Sequence, residues 1–521
     1  MGKLKYGIGK QDFASLRKRG FVYIDKTRFI MQLLEGADYY FLSRPRRFGK
    51  SLFISTLYHF FRGHKDLFSG LAIESYDWDW QPYPVIRINL SEGSYSKPEG
   101  LEQRLYEVIE SNEDFYGISP SGSDPRSRFR NLIQSLRETA RKEVIILIDE
   151  YEKPLLDAVQ KPYFKRYQEE LADFYSVLKS NEELIRLLFI SGVTRFGHLN
   201  IFSGFNNLTD ISLSDQYSTI CGITQEELRN CLSSGIDDFA KAYNTDFESA
   251  VVRLKKYYDG YHFSRQLIDI YNPFSLLSCL DASRLTSTWF QSGSSRYLLE
   301  KLKTNQFDLT KFDDIKVNEE TLLGLEASMN DTITLLYQSG YLTIKDYDLS
   351  TSRYTLGIPN FEVSKALYSS IIPYYLGPKY NSADNEAYEF IEKLNHGQAE
   401  EAMRWLQGYF SSIPYDVKLD YENEFQQVVY AFFALAGQLA GVTLEKTTSD
   451  GRIDMVYETN NFVYIFEFKR GEDASIALEQ INSKRYALQW EAGKRKIIKI
   501  GIAFSPKSRG ITDFIIQREA Q

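Results

Sequence analysis

At 521 residues the chain exceeds a single hydrophobic core, and about three domains are expected. A composition of 43% hydrophobic and 25% charged residues excludes a disordered or fibrous chain. The net charge of −8 argues against non-specific coating of nucleic acid by the whole surface. Charge is unevenly placed: residues 1–50 hold 12 Lys/Arg against 4 Asp/Glu, and residues 484–509 hold 8 against 1. Such patches suit a site-specific polyanion binder, or simply solvated basic faces.

The amino terminus, Met1-Gly2-Lys3-Leu4-Lys5-Tyr6, lacks the apolar run of a signal peptide, and no apolar stretch reaches the roughly 18 residues of a membrane span. Cys221, Cys231 and Cys279 are too few and too scattered for a disulfide framework or a zinc site. A reducing cytoplasm is the expected compartment.

Along residues 1–220 strands alternate with helices. Tyr39–Leu42 reads as a strand and Lys50–Arg62 as a helix, followed by a strand at Val85–Leu90 and a helix at Leu101–Ile109. Val144–Ile148 and Leu187–Ile190 are further strands. Continuous apolar runs separated by helices predict an α/β domain whose parallel sheet is covered on both faces. Residues 221–317 read as a helical region, punctuated by Tyr257-Tyr258-Asp259-Gly260-Tyr261 and Tyr271-Asn272-Pro273-Phe274. Residues 318–385 suggest a winged helix, and residues 386–521 a final α/β module.

Between the first strand and helix lies Ser43-Arg44-Pro45-Arg46-Arg47-Phe48-Gly49-Lys50-Ser51. Gly-Lys-Ser/Thr alone arises by chance in roughly one in three chains of this length. Here it sits between a strand and a helix, and Val144–Ile148 delivers Asp149-Glu150 at a second strand end. In a phosphate loop, backbone N–H groups and a helix amino terminus surround phosphate, so Gly49 can supply the unusual dihedrals needed. Lys50 would reach the β- and γ-phosphates, and the Ser51 hydroxyl would bind Mg²⁺. Asp149 would hold the metal's water shell, with Glu150 as the base for the attacking water. The first glycine of the usual pattern is Arg44 here, which places three guanidinium groups, those of Arg44, Arg46 and Arg47, near the phosphates. Arg46, Arg47 and Phe48 are therefore candidate nucleotide contacts. Leu187–Ile190 runs into Ser191-Gly192-Val193-Thr194-Arg195-Phe196, where Thr194 or Ser191 can sense the γ-phosphate. Arg195 can act as a transition-state arginine, in cis or across the contact of a homo-oligomer, or be a surface residue ending a turn. Asp25-Lys26-Thr27 reads as a helix cap or a further nucleotide contact.

Tyr23-Ile24-Asp25-Lys26-Thr27, Arg44 to Ser51, Leu147-Ile148-Asp149-Glu150-Tyr151, Ser191 to Phe196 and Asn206-Asn207-Leu208-Thr209-Asp210 resemble the predicted "AAA-ATPase-like" family across roughly residues 4–290. The resemblance implies a P-loop ATPase of the class with an additional catalytic glutamate, matching Glu150. An arginine-rich loop is itself a trait of that family.

Near the carboxyl end, Gly451–Tyr457 and Phe462–Lys469 flank Thr459-Asn460-Asn461. A two-residue turn at Asn460-Asn461 would set Asp454 opposite Glu467, with Lys469 on the same face and Ile453, Met455, Phe466 and Phe468 on the other. Two opposed carboxylates repel each other. A divalent cation between them, Mg²⁺ or Mn²⁺, would reverse that cost, and the lysine could orient or deprotonate a water. Glu424, on the helix that begins at Glu422, is a candidate further ligand, and Gln480 a contact to the scissile phosphate. A charged stripe in which Lys469 pairs with both acids fits the same residues. Asp454, Glu467-Phe468-Lys469 and Gln480 resemble the PD-(D/E)xK nuclease superfamily over about residues 420–505, with Ile453 in place of its proline. The joint reading is a P-loop ATPase with a C-terminal restriction-endonuclease-like α/β domain. It would use ATP and Mg²⁺ to regulate cleavage or processing of nucleic acid, in defence or mobile-element biology. The alternatives are a nucleotide-dependent signalling switch with an idle nuclease fold, and a winged-helix DNA-binding regulator.

Overall fold

The computed structural model describes residues 4–195, 207–289, 295–312, 314–324, 332–377, 381–412, 422–440, 443–448, 451–505 and 510–518. The chain forms two compact units. One comprises Met1–Ser294 with Asp313–Asn360, the other Ser295–Phe312 with Phe361–Gln521. The segment 318–385 is thus shared between them at residue 360. Among the described residues no helix is long and apolar enough to cross a membrane.

The first unit is built on a five-stranded sheet: β1 (Tyr39–Ser43), β2 (Val85–Asn89), β3 (Val144–Asp149), β4 (Ile185–Gly192) and β5 (Thr209–Asp210), in the order β2-β3-β4-β1-β5. Every pairing is parallel, as continuous apolar runs require. All six residues of β3 are buried, so helices must cover both faces. Helices Gly100–Tyr116, Pro125–Ala140 and Phe164–Ser180 do so on one side, sharing a core with Ile86, Ile146 and Ile190. Residues 119–124 remain an exposed loop, ended by Asp124, which caps the helix that follows.

The short strands β6 (Ile223–Thr224) and β7 (Ile270–Tyr271) pair within a helical region that has its own core around Leu228, Ile236, Phe239 and Leu254. In and just before the segment expected as a winged helix lie β8 (Ile315–Val317), helices Glu319–Leu323 and Thr332–Gln338, and the hairpin β9 (Thr343–Asp348) and β10 (Arg353–Gly357). These three strands form one antiparallel sheet ordered β8-β10-β9.

In the second unit, β11 (Thr443–Thr448), β12 (Gly451–Glu458), β13 (Phe462–Arg470), β14 (Lys496–Ser505) and β15 (Gly510–Arg518) lie in sequence order. Only β13 and β14 run parallel, and helix Ala474–Ser483 makes their crossover. That helix lies so close that a Cβ at Gly501 would stand 2.7 Å from the Leu478 amide nitrogen. Gly501 pairs with Glu467, so the glycine lets the helix settle over the acid. Helix Glu422–Ala440 covers the opposite face, setting the Phe433 ring 6.2 Å from Phe466 and 5.0 Å from Phe468. Ile453 belongs to the cluster of Val463, Ile465 and Ile481, not to the set with Phe466 and Phe468 that was expected.

Candidate functional site

Strand β1 enters the phosphate loop and helix Lys50–Phe61 leaves it, starting immediately after Gly49. Gly49 has φ 99° and ψ 16°, a left-handed conformation that glycine adopts without penalty. A Cβ there would meet nothing within 4 Å, so the requirement is for backbone freedom rather than space. Arg47 (φ 69°) and Glu150 (φ 51°) are also left-handed, each at a cost of about 1–3 kcal/mol that the surrounding fold must offset. These two non-glycine residues, in the loop and at the end of β3, concentrate backbone strain at one place.

Lys50 is buried, and its Nζ donates to the Arg44 and Pro45 carbonyls at 2.8 and 3.1 Å. Burial lowers its pKa, and the Asp149 charge opposes that shift. Asp149 ends β3, buried, with Oδ1 accepting from the Ser191 hydroxyl at 2.6 Å and from the Glu150 amide at 3.1 Å. Strand β4, which carries Ser191, lies between β1 and β3 in the sheet. Of the two sensing candidates, Ser191 is therefore engaged in orienting Asp149. The Thr194 hydroxyl is buried and has no hydrogen-bond partner among the described residues.

The arginines depart from the expectation of three guanidinium groups at the phosphates. Arg44 is buried, donating to the carbonyls of Ser43 (2.8 Å), Ser212 (2.7 Å) and Tyr217 (3.3 Å), with its guanidinium 4.2 Å from the Phe263 ring centre. It fastens the loop entry where glycine is missing. Arg47 donates to the Thr288 carbonyl at 2.9 Å and lies 4.1 Å over Phe274. Its left-handed backbone carries the side chain to the helical region. Arg46 is half-buried at the turn. Phe48 is buried edge-on against Tyr261 and Phe263, and its carbonyl accepts from the Gly222 amide at 3.0 Å, so its side chain anchors the loop. Arg195 forms an ion pair with Asp210 of β5, and its amide donates to Gln338 Oε1 at 3.2 Å.

Asp25 accepts from the Thr27 amide at 2.8 Å and from the Ala72 amide at 2.7 Å, tying two segments together; the helix Arg28–Glu35 that follows has no side-chain cap, so the helix-cap expectation is not met. Lys26 is paired with Glu227 at 2.6 Å. A groove opens beside Gly49, Leu52 and Phe53, walled by Tyr23, Ile24, Cys221 and Pro273.

In the second unit the hairpin register is as expected. Met455 pairs with Phe466 and Glu458 with Val463, closing on a two-residue turn in which the Thr459 hydroxyl accepts from the Phe462 amide at 2.8 Å. One step beyond the ladder, Asp454 Oδ2 accepts from the Phe468 amide at 2.8 Å. Glu467 is 2% exposed; its Oε1 accepts from Gln480 Nε2 and, at 3.4 Å, from Lys469 Nζ, while its Oε2 is buried without a partner among the described residues. Burial first, and then the Asp454 charge, push the Glu467 pKa up to about 7. Gln480 is also 3.4 Å from the Tyr486 hydroxyl. Asp454, Glu467, Lys469 and Gln480 thus converge, whereas the Glu424 side chain lies outside the described residues. Among the described residues no group of three or more His, Cys, Asp or Glu is arranged around one cation.

The sequence profile described as predicted AAA-ATPase matches residues 7–202, and that of the PD-(D/E)XK nuclease superfamily matches residues 420–514. A curated protein from Azotobacter chroococcum mcd 1, "Uncharacterized protein in vnfD 5'region", is 33% identical over 529 residues, covering 99% of each chain. The chain belongs to the predicted AAA-ATPase family. It carries a PD-(D/E)XK nuclease-superfamily domain behind its ATPase-like domain. Among solved structures, the Aeropyrum pernix ORC1 protein in complex with DNA is similar at 12% identity and TM-score 0.24, over 66% of this chain and 91% of that one. The Aeropyrum pernix ORC2 protein (ADPNP–ADP complexes) gives 13% and 0.25, over 66% and 92%. At those scores neither likeness carries an argument.

Two residues that matter at the first site were missed from sequence. Glu152 is buried behind Asp149 and Glu150, and Asp210 holds Arg195. A third acid within four positions of an all-apolar strand was the legible signal for Glu152. Nothing in the sequence pairs Asp210 with Arg195.

Proposed function

We propose that the protein binds ATP–Mg²⁺ at the phosphate loop and uses it to regulate metal-dependent cleavage of nucleic acid by the C-terminal domain. The observation that carries the cleavage reading is the Glu467 Oε2 atom, buried beside a second carboxylate and without a partner among the described residues. An orphaned buried oxygen costs about 1–3 kcal/mol, and more when charged. A divalent cation is the ligand that satisfies it, so the residues fit Mg²⁺ or Mn²⁺ held by Glu467 and Asp454. When bound, such an ion supplies charge stabilisation at a phosphate and an acidified water. Lys469 then orients or deprotonates that water, and Gln480 holds Glu467 in place while remaining near substrate.

At the first site, Lys50 rests on loop carbonyls and would exchange them for the β- and γ-phosphates. Ser51 and Asp149 would hold Mg²⁺, Glu150 would position water, and the groove beside Gly49 would take the nucleoside. Arg195 would act only after leaving Asp210, in cis or in a homo-oligomer. A cytoplasmic location agrees with the free cysteines.

The winged-helix regulator is the weaker alternative. Thr332, Thr334, Leu336 and Gln338 of the helix that would enter a DNA groove are buried, and no residue of that helix is exposed. The decisive experiment titrates purified protein against plasmid, linear and single-stranded DNA and RNA, with Mg²⁺ or Mn²⁺, with and without ATP. Cleavage lost in Lys469→Ala supports the proposal. Absence of cleavage under every condition leaves the signalling switch as the better reading.

A further inference from the structure

Glu152 belongs to neither strand nor phosphate loop, yet it is 1% exposed and carries an ionisable group. Its Oε1 accepts from the backbone amides of Val193 and of Thr194, the latter at 3.1 Å. Next to it, the Tyr151 hydroxyl donates to the Thr194 carbonyl at 2.9 Å. The two residues after Glu150 therefore grip the Val193-Thr194 turn from both its amide and its carbonyl sides. Gly192 makes this possible, because a Cβ there would overlap Glu152 Oε2 and stand 2.7 Å from the Tyr151 ring. The gripped turn carries the Thr194 hydroxyl, buried and without a partner among the described residues, at the end of the strand between β1 and β3. An unpartnered buried hydroxyl on a turn so tightly held is a group fixed in advance for a ligand atom.

We infer that Glu152 is a positioning residue that clamps the Val193-Thr194 turn, so that the Thr194 hydroxyl meets the γ-phosphate and the site distinguishes ATP from ADP. The inference rests on the nucleotide reading above. It adds a residue with a separate role, since Glu150 acts on water, whereas Glu152 acts on the phosphate only through Thr194. A hydrogen bond to a charged phosphate contributes about tenfold in affinity. Burial pushes the Glu152 pKa up to about 7, so the clamp has to work through an oxygen that accepts in either protonation state. Glutamine retains such an oxygen and alanine does not.

The test measures Kd for ADP and for a non-hydrolysable ATP analogue, both with Mg²⁺, by isothermal titration on the full chain. The wild type should prefer the analogue. Glu152→Ala and Thr194→Ala should each reduce that preference by about tenfold, leave ADP affinity within about twofold, and give no further loss when combined. Glu152→Gln should restore the preference. Glu152→Gln and Thr194→Ala keep the test open where Glu152→Ala does not fold, since the clamp requires the first to behave as wild type and the second to lose discrimination. A Glu152→Ala protein with undiminished preference overturns the clamp alone. Wild-type protein that binds neither nucleotide overturns the clamp together with the ATP reading.

Discussion

The two sites differ in what each lacks. At the phosphate loop the charged groups next to the ligand position rest on internal partners, Lys50 on carbonyls, Asp149 on Ser191 and Arg195 on Asp210, while the Thr194 hydroxyl and the Glu152 Oε2 oxygen are buried with no partner among the described residues. At the hairpin of the second unit, two acids stand together and one buried oxygen has no partner among the described residues. The first site can exchange internal partners for a ligand at little net charge cost. The second carries a standing penalty that a cation relieves. The first should therefore depend on individual residues for affinity and rate, and the second on metal for stability.

The comparison can be strained first at Glu150. Glutamine there keeps the shape but cannot take a proton, so ATP hydrolysis should fall by about 10²–10⁴ while ATP affinity holds. Phosphate release and binding measured on one preparation decide it, and undiminished release would remove Glu150 from the role. The next effect concerns stability. Arg44→Ala leaves the Ser212 and Tyr217 carbonyls without their buried donor, which should cost about 3 kcal/mol in denaturant unfolding. Arg46→Ala, in contrast, should change nucleotide binding rather than stability. Equal stability losses in the two variants would contradict the division between an anchoring and a binding arginine. Smaller again, Lys50→Ala should weaken ATP binding at least about tenfold, or about 1.4 kcal/mol.

The smallest effect sharpens the contrast from the side of the second site. The folded-state pKa of Glu467 lies above its ordinary value of 4.5, at about 7. Between those values the folded protein holds a proton that the unfolded chain releases. Metal-free stability should therefore fall as pH rises through that window and level off above it. Asp454→Asn removes the charge that helps raise the pKa, so it should flatten the pH dependence and stabilise the metal-free protein by up to ~1 kcal/mol at pH 8. Thermal melts of wild type and variant from pH 5 to 8 check both halves. A variant that is less stable at pH 8 and unchanged in slope would mean that the two acids do not repel.

Much of this was legible because period and context agree. The apolar runs of β1 to β4 could only be buried parallel strands, and Asn460-Asn461 fixed the register that brings Asp454 toward Glu467. The directions of the loop arginines were not legible. A sequence places Arg44 and Arg47 beside a phosphate site, but burial and a left-handed φ turn them to carbonyls and aromatic rings contributed from well over a hundred residues away. The Arg195–Asp210 pair and the Glu152 clamp escaped for a related reason, since each joins elements that only the folded sheet makes neighbours. Ile453 was misplaced because the hairpin pairing was carried two residues past the end of the β12–β13 ladder.

The most direct test of two sites with different needs is a crossed thermal-shift measurement on wild type, Lys50→Ala and Glu467→Gln. Each is titrated with ATP at saturating Mg²⁺ and, separately, with Mn²⁺ alone. The account predicts that Lys50→Ala loses the ATP shift and keeps the Mn²⁺ shift, while Glu467→Gln does the reverse. Wild-type protein stabilised by neither ligand, or a Glu467→Gln protein that keeps its full Mn²⁺ shift, would contradict it.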